Sequence, residues 1–240
     1  MHCRAFAMHK LVLGTCLLIC GGCSHGPAGK EDGKQVTPTT PASERVSGGE
    51  KGTVTQDGFT PLGLDDFEVF QGKARPNPPT WSEEGNIIKS TGKPRGYLYS
   101  KKPYRNFTLR ADLRYPPEAP DAATKANTGF LMYITPPHRV WPICIEVQGK
   151  QIELAMIKGN GKPNPLDPAK VHDDESARQK ARRPIGEWNA IEIVSRDGKL
   201  TSFVNGVKIS ENEPVELREG PIGLQAEDFP YEIRNLRVRE

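Results

Sequence analysis

Apolar and polar residues alternate over short segments from about residue 59 to the C-terminus. In Phe107–Arg114 the apolar side chains occupy every second position, which predicts a strand with one buried face. Ile143–Gln148 alternates in the same way, and Gly149-Lys150 predicts a tight turn into a partner strand at Ile152–Ile157. The pattern therefore predicts antiparallel hairpins.

Turn residues separate these segments. Asp197-Gly198 and Asn205-Gly206 have the chemistry that supplies positive φ in hairpins, and they join predicted strands near the C-terminus. We count about eleven strand segments and no helical periodicity longer than about two turns. Many short strands in one domain of about 180 residues predict two antiparallel sheets packed as a sandwich, because each sheet has an apolar face that must be covered.

One long connection, residues 159–184, interrupts the strands. The charged segment Asp173–Arg183 within it predicts either a short polar helix or a disordered loop, since connections of this length are usually functional or disordered. The sequence leaves both alternatives open.

The N-terminus has a different pattern. Arg4 and Lys10 precede an apolar run, Leu11–Cys20, and small residues follow, which is the three-part pattern of a bacterial secretory signal. The run has about 10 residues, roughly half of what a helix needs to span a bilayer. Gly21-Gly22-Cys23 is similar to a lipobox, in which the cysteine is lipidated and becomes the new N-terminus. We expect a lipoprotein signal peptide at 1–22 and a lipid on Cys23, with a plain signal peptide and an unmodified thiol as the alternative.

Residues 23–58 contain almost no large apolar side chain. Such a segment cannot bury enough apolar surface to offset the entropy cost of ordering. We therefore expect a disordered linker that holds a folded domain, residues 59–240, off a membrane surface. This arrangement predicts a lipid-anchored protein of the cell envelope that faces the periplasm or the cell surface.

Charge and cysteine content exclude some classes of protein. The chain has 33 Lys and Arg residues and 30 Asp and Glu residues, and without Arg4 and Lys10 the balance is 31 to 30, or +1. A near-neutral chain lacks the concentrated basic field that nucleic-acid binding requires, so we expect no nucleic-acid partner. Cys144 is the only cysteine after Cys23, which excludes an internal disulfide framework in the domain.

Motifs for metals and activated nucleophiles are missing from the sequence. The predicted domain has two histidines, His138 and His172, and neither an H-E-x-x-H motif nor paired cysteines accompany them. No G-x-S-x-G elbow is present either. We expect no metal and no cofactor.

Five segments in order carry a resemblance to a known family. They are FEVFQGK at 67–73 followed by Trp81, NTGFLMY at 127–133, IEVQG at 145–149, GEWNAIEI at 186–193 with FVNGV at 203–207, and GPIGLQAE with EIRNLRV within 220–238. Together they resemble the bacterial 3-keto-disaccharide hydrolase domain family, formerly described as a domain of unknown function, over about residues 59–240. The resemblance implies an all-β, concanavalin-like jelly roll whose concave sheet carries a carbohydrate site.

Candidate site residues follow from the matching motifs and from the aromatic residues nearby. Glu146 is the expected catalytic base or its orienting partner. The expected substrate contacts are Asn127, Tyr133, Trp141, Gln148, Gln225, Glu232 and Arg234. The sequence departs from the family pattern at four places: Thr128 replaces Ser, Tyr133 stands where Arg is usual, Gly149 directly follows the Glu-x-Gln motif, and Ala226-Glu227 follows Gln225 without the usual His.

The strand period supports part of this set. Glu146 and Gln148 are two residues apart and must share the face opposite Ile145 and Val147. Any solvent-facing strand shows this pattern, so the period alone does not establish a site.

The last strand carries a second pair of polar side chains at two-residue spacing, a carboxylate and a cation. Glu232 and Arg234 also share a face there, and a break in the alternation predicts a bulge at Arg234-Asn235 that would turn these side chains toward the same cleft. A structural ion pair is the alternative for Arg234.

Aromatic residues add possible stacking surfaces for sugar rings. Tyr133, Tyr97 and Trp141 are candidates, and Trp141 lies in a proline-rich loop that cannot be a central strand. Trp81 and Trp188 sit among alternating apolar residues, and we expect both in the core.

The resemblance implies a membrane-anchored hydrolase whose partner is a 3-keto disaccharide or glycoside. A ketone at C3 acidifies the C2 hydrogen, so one base can cause expulsion of the C1 oxygen before water adds. Ordinary glycosidases need paired carboxylates instead. A non-catalytic carbohydrate-binding surface domain is the main alternative, favoured by Tyr133 in place of Arg and by the missing His, and a purely structural envelope lipoprotein is a third. We expect a monomer in each case.

Overall fold

The computed structural model describes residues 54–72, 76–118 and 122–240. The predicted signal peptide, the lipidation site Cys23 and the linker as far as residue 53 lie outside the described residues. No helix within the described ranges is both long enough and apolar enough to cross a membrane.

Fifteen strands and two short α-helices occupy the described residues. The strands are β1 (Thr60–Pro61), β2 (Phe67–Gln71), β3 (Trp81–Glu84), β4 (Ile87–Ser90), β5 (Gly96–Tyr104), β6 (Phe107–Arg114), β7 (Gly129–Thr135), β8 (Ile143–Gln148), β9 (Ile157–Asn160), β10 (Val171–Asp173), β11 (Asn189–Arg196), β12 (Lys199–Val204), β13 (Val207–Asn212), β14 (Gly220–Ala226) and β15 (Tyr231–Arg239). The helices are α1 (Ala122–Lys125) and α2 (Glu175–Ala181).

These strands form two antiparallel sheets. The nine-stranded sheet has the order β10-β13-β12-β11-β6-β15-β4-β3, and β1 pairs with β15. The six-stranded sheet has the order β2-β5-β14-β7-β8-β9. The predicted all-β sandwich is therefore confirmed, and most strand neighbours are non-consecutive in sequence, as in a jelly roll.

The core lies between the two sheets. The four apolar residues of β6 are at most 3% exposed, as their alternation predicts. From the other sheet, Ile145 and Val147 of β8 are fully buried in the same cluster. Burial of each such aliphatic side chain stabilises the fold by roughly 1.5–3 kcal/mol, so the core fixes which face of β8 points outward.

The predicted bulge in the last strand is present. The pairing of β15 with β6 shifts register between Arg234 and Arg237, and Asn235 has a φ of 54°. Asn enters this left-handed region more readily than most residues, and its Nδ2 donates to Asp112 Oδ2 at 2.9 Å. The bulge, however, belongs to the nine-stranded sheet.

The long connection contains the short helix rather than a disordered loop. Asp174 caps α2 by accepting a hydrogen bond from the Ala177 backbone N at 2.8 Å. Arg178 is 2% exposed, and it donates to the Leu154 carbonyl at 3.0 Å and to Asp173. These hydrogen bonds of Arg178 hold α2 against the sandwich.

Candidate functional site

The outer face of the six-stranded sheet carries polar side chains that are buried. Glu146, Gln148 and Gln225 are 4%, 1% and 1% exposed, respectively. Glu146 and Gln148 share this face because Ile145 and Val147 occupy the core face, so the prediction from the strand period is confirmed. Gln225 lies on β14, next to Tyr97 of β5 in the register.

A glycine of the neighbouring strand lies beside Glu146. Gly129 of β7 faces Gln148, and Leu131, two residues on, faces Glu146. A Cβ atom at position 129 would lie 2.5 Å from Glu146 Oε1. Only glycine therefore leaves room for the carboxyl group where it stands.

Residues 136–142, which we call the strap, connect β7 to β8 and fold back over β2 and β5. His138 stacks on Tyr99 with a ring separation of 4.4 Å, and its Nδ1 shares a 2.8 Å hydrogen bond with the Tyr97 hydroxyl. Farther along the strap, the Arg95 guanidinium lies 5.9 Å from the Trp141 ring. The strap thus forms a wall on one side of the sheet face.

Trp141 is 39% exposed on this wall, which agrees with a role in contacting a ligand. Tyr97 differs from the expectation, because it is fully buried beneath His138 and anchors the strap instead of offering a free ring face. Arg95 also donates to Asp228 Oδ2 at 2.8 Å, which ties the start of β5 to the turn after β14.

Burial raises the pKa of the Glu146 carboxyl from an ordinary 4.5 to about 7. Lys158 of β9 opposes this rise, with its Nζ 3.9 Å from Glu146 Oε1, while the negative charges of Glu227 and Glu153 reinforce it. Burial also raises the pKa of Glu227, against the effects of Lys158, Arg95 and a hydrogen bond from Asn127. The face therefore holds a carboxyl group that changes protonation near neutral pH.

Several buried polar atoms on this side of the sandwich have no hydrogen-bond partner among the described residues. They are Asn127 Oδ1, Glu146 Oε1, Asn160 Nδ2, Gln225 Oε1 and Gln225 Nε2. Native proteins leave few such atoms unsatisfied, and each costs about 1–3 kcal/mol. They lie on β8, β9 and β14 and just before β7, so the sheet that carries Glu146 offers free polar atoms to a hydroxyl-bearing or carbonyl-bearing ligand.

Comparison with known proteins places the domain in a family. The model of the 3-keto-alpha-glucoside-1,2-lyase-like domain matches residues 56–239. The chain belongs to this family. The resemblance expected from the sequence is thus confirmed, and the domain is of a carbohydrate-active class.

Two solved structures share the fold of this 3-keto-alpha-glucoside-1,2-lyase-like domain. Both are candidate glycosyl hydrolases from Parabacteroides distasonis. The first has a TM-score of 0.55 and 18% identity, over 79% of this chain and 99% of the other. The second has a TM-score of 0.52 and 21% identity, over 76% of this chain and 98% of the other. No curated protein matches the sequence.

The predicted placement of Glu232 and Arg234 in the Glu146 cleft is wrong. Both residues lie on β15, in the nine-stranded sheet. Glu232 accepts from Arg114 Nε at 2.5 Å, and Arg234 Nε donates to Asp112 at 2.9 Å. They form ion pairs on the opposite side of the sandwich, which is the structural alternative left open for Arg234.

Trp188 lies beside these ion pairs and outside the core. It is partly exposed, with the guanidinium carbons of Arg114 and Arg234 at 4.4 and 4.3 Å from its ring centre. The expectation of a core position is therefore wrong for Trp188. Trp81 is 6% exposed within the core and confirms the expectation.

The predicted contact of Tyr133 with a ligand is also wrong. Tyr133 has a φ of 61°, at an irregularity where the pairing of β7 with β8 shifts register. Its side chain is fully buried in the core, and its hydroxyl shares a 2.5 Å hydrogen bond with Ser195 Oγ of β11. The irregular backbone turns Tyr133 inward, so its ring cannot stack on a sugar.

The remaining predicted contacts differ in what they offer. Asn127 Oδ1 and both polar side-chain atoms of Gln225 have no hydrogen-bond partner among the described residues. Gln148 accepts a hydrogen bond from the Lys150 backbone N at 3.0 Å, so its carbonyl oxygen holds the turn after β8.

No group of three or more His, Cys, Asp or Glu side chains that could hold a metal ion is found in the described part of the chain.

Four residues of the site were not predicted as members: Lys158, Asn160, Glu227 and His138. The expected partner of β8 was Ile152–Ile157, but a 3-10 turn occupies Gln151–Glu153 and β9 begins only at Ile157. The signal that could have identified Lys158 and Asn160 is their two-residue spacing directly after Ile157.

Proposed function

We propose that this domain cleaves the glycosidic bond of 3-keto glycosides by elimination across C1 and C2, with Glu146 as the base. One observation carries the proposal: the buried carboxyl group of Glu146 has a pKa of about 7 and an oxygen with no hydrogen-bond partner among the described residues. The same sheet carries Asn160 and Gln225, whose amide groups also have polar atoms without such a partner. Family membership supports the substrate class.

The reaction has a simple balance. Glu146 takes the hydrogen at C2 as a proton, and the electron pair passes into an enolate stabilised by the C3 carbonyl. The enolate then forms a C1–C2 double bond while the C1–O bond breaks. The departing oxygen takes up one proton, and Glu146 later releases one to solvent. Addition of water across the double bond then gives the free 3-keto sugar, so the overall result is hydrolysis.

A base with a pKa near the working pH is well suited to this step, since it combines a sizeable ionised fraction with useful basicity. Because the ionised form of Glu146 is the active one, kcat/KM should rise with pH through a midpoint near 7. The measurement is a pH–rate profile on a 3-keto glycoside. A profile that stays flat between about pH 5 and about pH 8 would exclude Glu146 as the base.

Substrate comparison tests the reaction itself. The domain is incubated with a disaccharide and with its 3-keto derivative, and free sugar and unsaturated product are followed by NMR. We expect cleavage of the 3-keto compound alone, and its loss in Glu146→Gln. Equal cleavage of both compounds would indicate an ordinary glycosidase, and the proposal would be wrong.

Non-catalytic carbohydrate binding is the second candidate, favoured by the exposed Trp141 on the strap. An aromatic face on a fixed loop suits the apolar side of a sugar ring. Binding of ordinary and 3-keto disaccharides with no turnover of either would support this candidate over the enzyme.

We further propose that Cys23 carries a lipid and anchors the protein in the cell envelope, because Gly21-Gly22-Cys23 follows a short apolar run. Cys23→Ser should release the protein from the membrane fraction of cells. Unchanged fractionation of this variant would contradict the anchor.

A further inference from the structure

The edge strand β9 presents two nitrogen donors beside Glu146. In the register of β8 with β9, Lys158 faces Glu146, and Asn160 faces Cys144. Residues 158 and 160 are two apart on one strand, so they share the outer face with Glu146. The base and the donors therefore lie on adjacent strands, about 4.8 Å apart.

Asn160 offers a donor whose direction is fixed. Its Oδ1 accepts a hydrogen bond from the Gly161 backbone N at 2.8 Å, which leaves Nδ2 as the free end of the amide. That Nδ2 is buried and has no partner that meets hydrogen-bond geometry in the described residues. Its neighbour across the register, Cys144, has a thiol, which is a weak acceptor.

Lys158 offers a mobile positive charge. Its side chain is 40% exposed, and its Nζ is 3.9 Å from Glu146 Oε1, outside hydrogen-bond distance. The ammonium group can therefore move toward a ligand oxygen at little cost. It is also close enough to lower the pKa values of both Glu146 and Glu227.

We propose that Lys158 Nζ and Asn160 Nδ2 together bind the C3 carbonyl oxygen of the substrate and stabilise the enolate oxygen that forms there. This inference rests on the proposed elimination. Before the reaction, the positive charge of Lys158 is balanced by ionised Glu146. When Glu146 takes the C2 proton, the negative charge passes to the C3 oxygen, and Lys158 balances it at the new position.

In this arrangement, neighbouring strands carry the two roles of the reaction, removal of the C2 proton and stabilisation of the C3 oxygen. β8 supplies the base for the C2 hydrogen, and β9 supplies the donors for the neighbouring C3 oxygen. The Asn160 amide is already fixed in direction by its bond from the Gly161 backbone N, so this donor needs no reorganisation during the reaction. Gln225 lies two strands from β8, on β14, and is left to bind other hydroxyl groups of the sugar.

Hydrogen exchange at C2 provides a test that does not depend on bond cleavage. A 3-keto sugar without a leaving group at C1 is incubated with the protein in D2O, and loss of the C2 proton is followed by NMR. Wild type should catalyse this exchange. Lys158→Met and Asn160→Ala should each slow both exchange and turnover by about 100-fold, with KM changed far less, because one donor to the enolate is lost.

Two further variants keep the test decisive. Lys158→Arg retains the charge and should restore part of the exchange rate. Lys208→Met, on the nine-stranded sheet, removes a lysine of similar exposure that pairs with Glu211, and it should leave the rates unchanged. Thermal unfolding of each variant shows whether it is folded. If Lys158→Met does not fold, the exchange rate of Asn160→Ala tests the inference instead.

The pH dependence tests whether the charge of Lys158 acts on the proposed base. Glu146 is under the influence of Lys158, Glu227 and Glu153, and only Lys158 lowers its pKa. Loss of Lys158 should therefore move the midpoint of the pH–rate profile to higher pH.

The outcomes separate this inference from the proposed function. If wild type is active and the β9 variants exchange and turn over substrate as fast as wild type, the inference is wrong and Glu146 remains the base. If wild type neither exchanges the C2 proton nor cleaves a 3-keto glycoside, the proposed function and the inference both fail.

Discussion

Glu146→Gln should make the protein more stable at neutral and alkaline pH while it removes activity. The wild-type carboxyl is 4% exposed, so its ionised form is costly in the folded protein. Gln has nearly the same shape and carries no charge at any pH. Because Glu146 is buried, its substitution should change stability as well as activity.

The magnitude follows from the two pKa values. The unfolded chain ionises Glu146 near 4.5, whereas the folded protein does so near 7. This difference corresponds to about 3 kcal/mol at roughly 1.4 kcal/mol for each tenfold change. Below pH 4.5 both states are protonated and the penalty is absent; it grows as the pH rises toward 7 and is constant above that.

The assay is chemical or thermal unfolding of both proteins between pH 4 and pH 8, a range that spans both pKa values of Glu146. Stability should match at the acid end, and at the alkaline end Glu146→Gln should melt about 6–12 °C higher, since 1 kcal/mol shifts the melting temperature of a domain of this size by about 2–4 °C. Glu187→Gln, at an exposed position, controls for the substitution itself. An equal or lower stability of Glu146→Gln at pH 8 would refute the argument that burial controls this carboxyl group.

Other substitutions test separate parts of the structure. Gly129→Ala should abolish turnover in a folded protein, because its Cβ would lie 2.5 Å from Glu146 Oε1; full activity would show that the carboxyl moves freely. Trp141→Ala should raise KM about tenfold and leave the melting temperature unchanged, as expected for one exposed stacking contact, whereas an unchanged KM would remove the strap from the binding site. Tyr133→Phe should cost about 1–2 kcal/mol of stability through the lost bond to Ser195, with normal kinetics, and a kinetic defect would contradict its core position.

Local alternation was sufficient to predict most of the sandwich. β6 and β8 have apolar residues at every second position, and the structure places those residues in the core. The helix within residues 159–184 could be named only as one of two alternatives, because what holds it is the burial of Arg178 against Leu154 and Asp173. A local pattern of apolar and polar residues does not predict contacts with other segments of the chain.

The site was predictable to the extent that one strand defines it. The period of two placed Glu146 and Gln148 together, but it could not say which sheet the last strand joins. Glu232 and Arg234 alternate just as Glu146 and Gln148 do, yet β15 pairs with β6 and β4 in the other sheet. The prediction for Tyr133 was wrong for a different reason: the positive φ of this residue interrupts the alternation of β7.

The strap is a single local loop between two neighbouring strands, and this gives the fold a simple route to new substrates. Its length can change without altering the sheet, since doubling the length of a flexible loop costs only about 0.6 kcal/mol. The proposed base and the proposed donors lie on β8 and β9, whereas the strap contacts β2 and β5 through His138. Changes in the strap can therefore alter contacts with a ligand without altering β8 and β9, by engineering or by natural insertion.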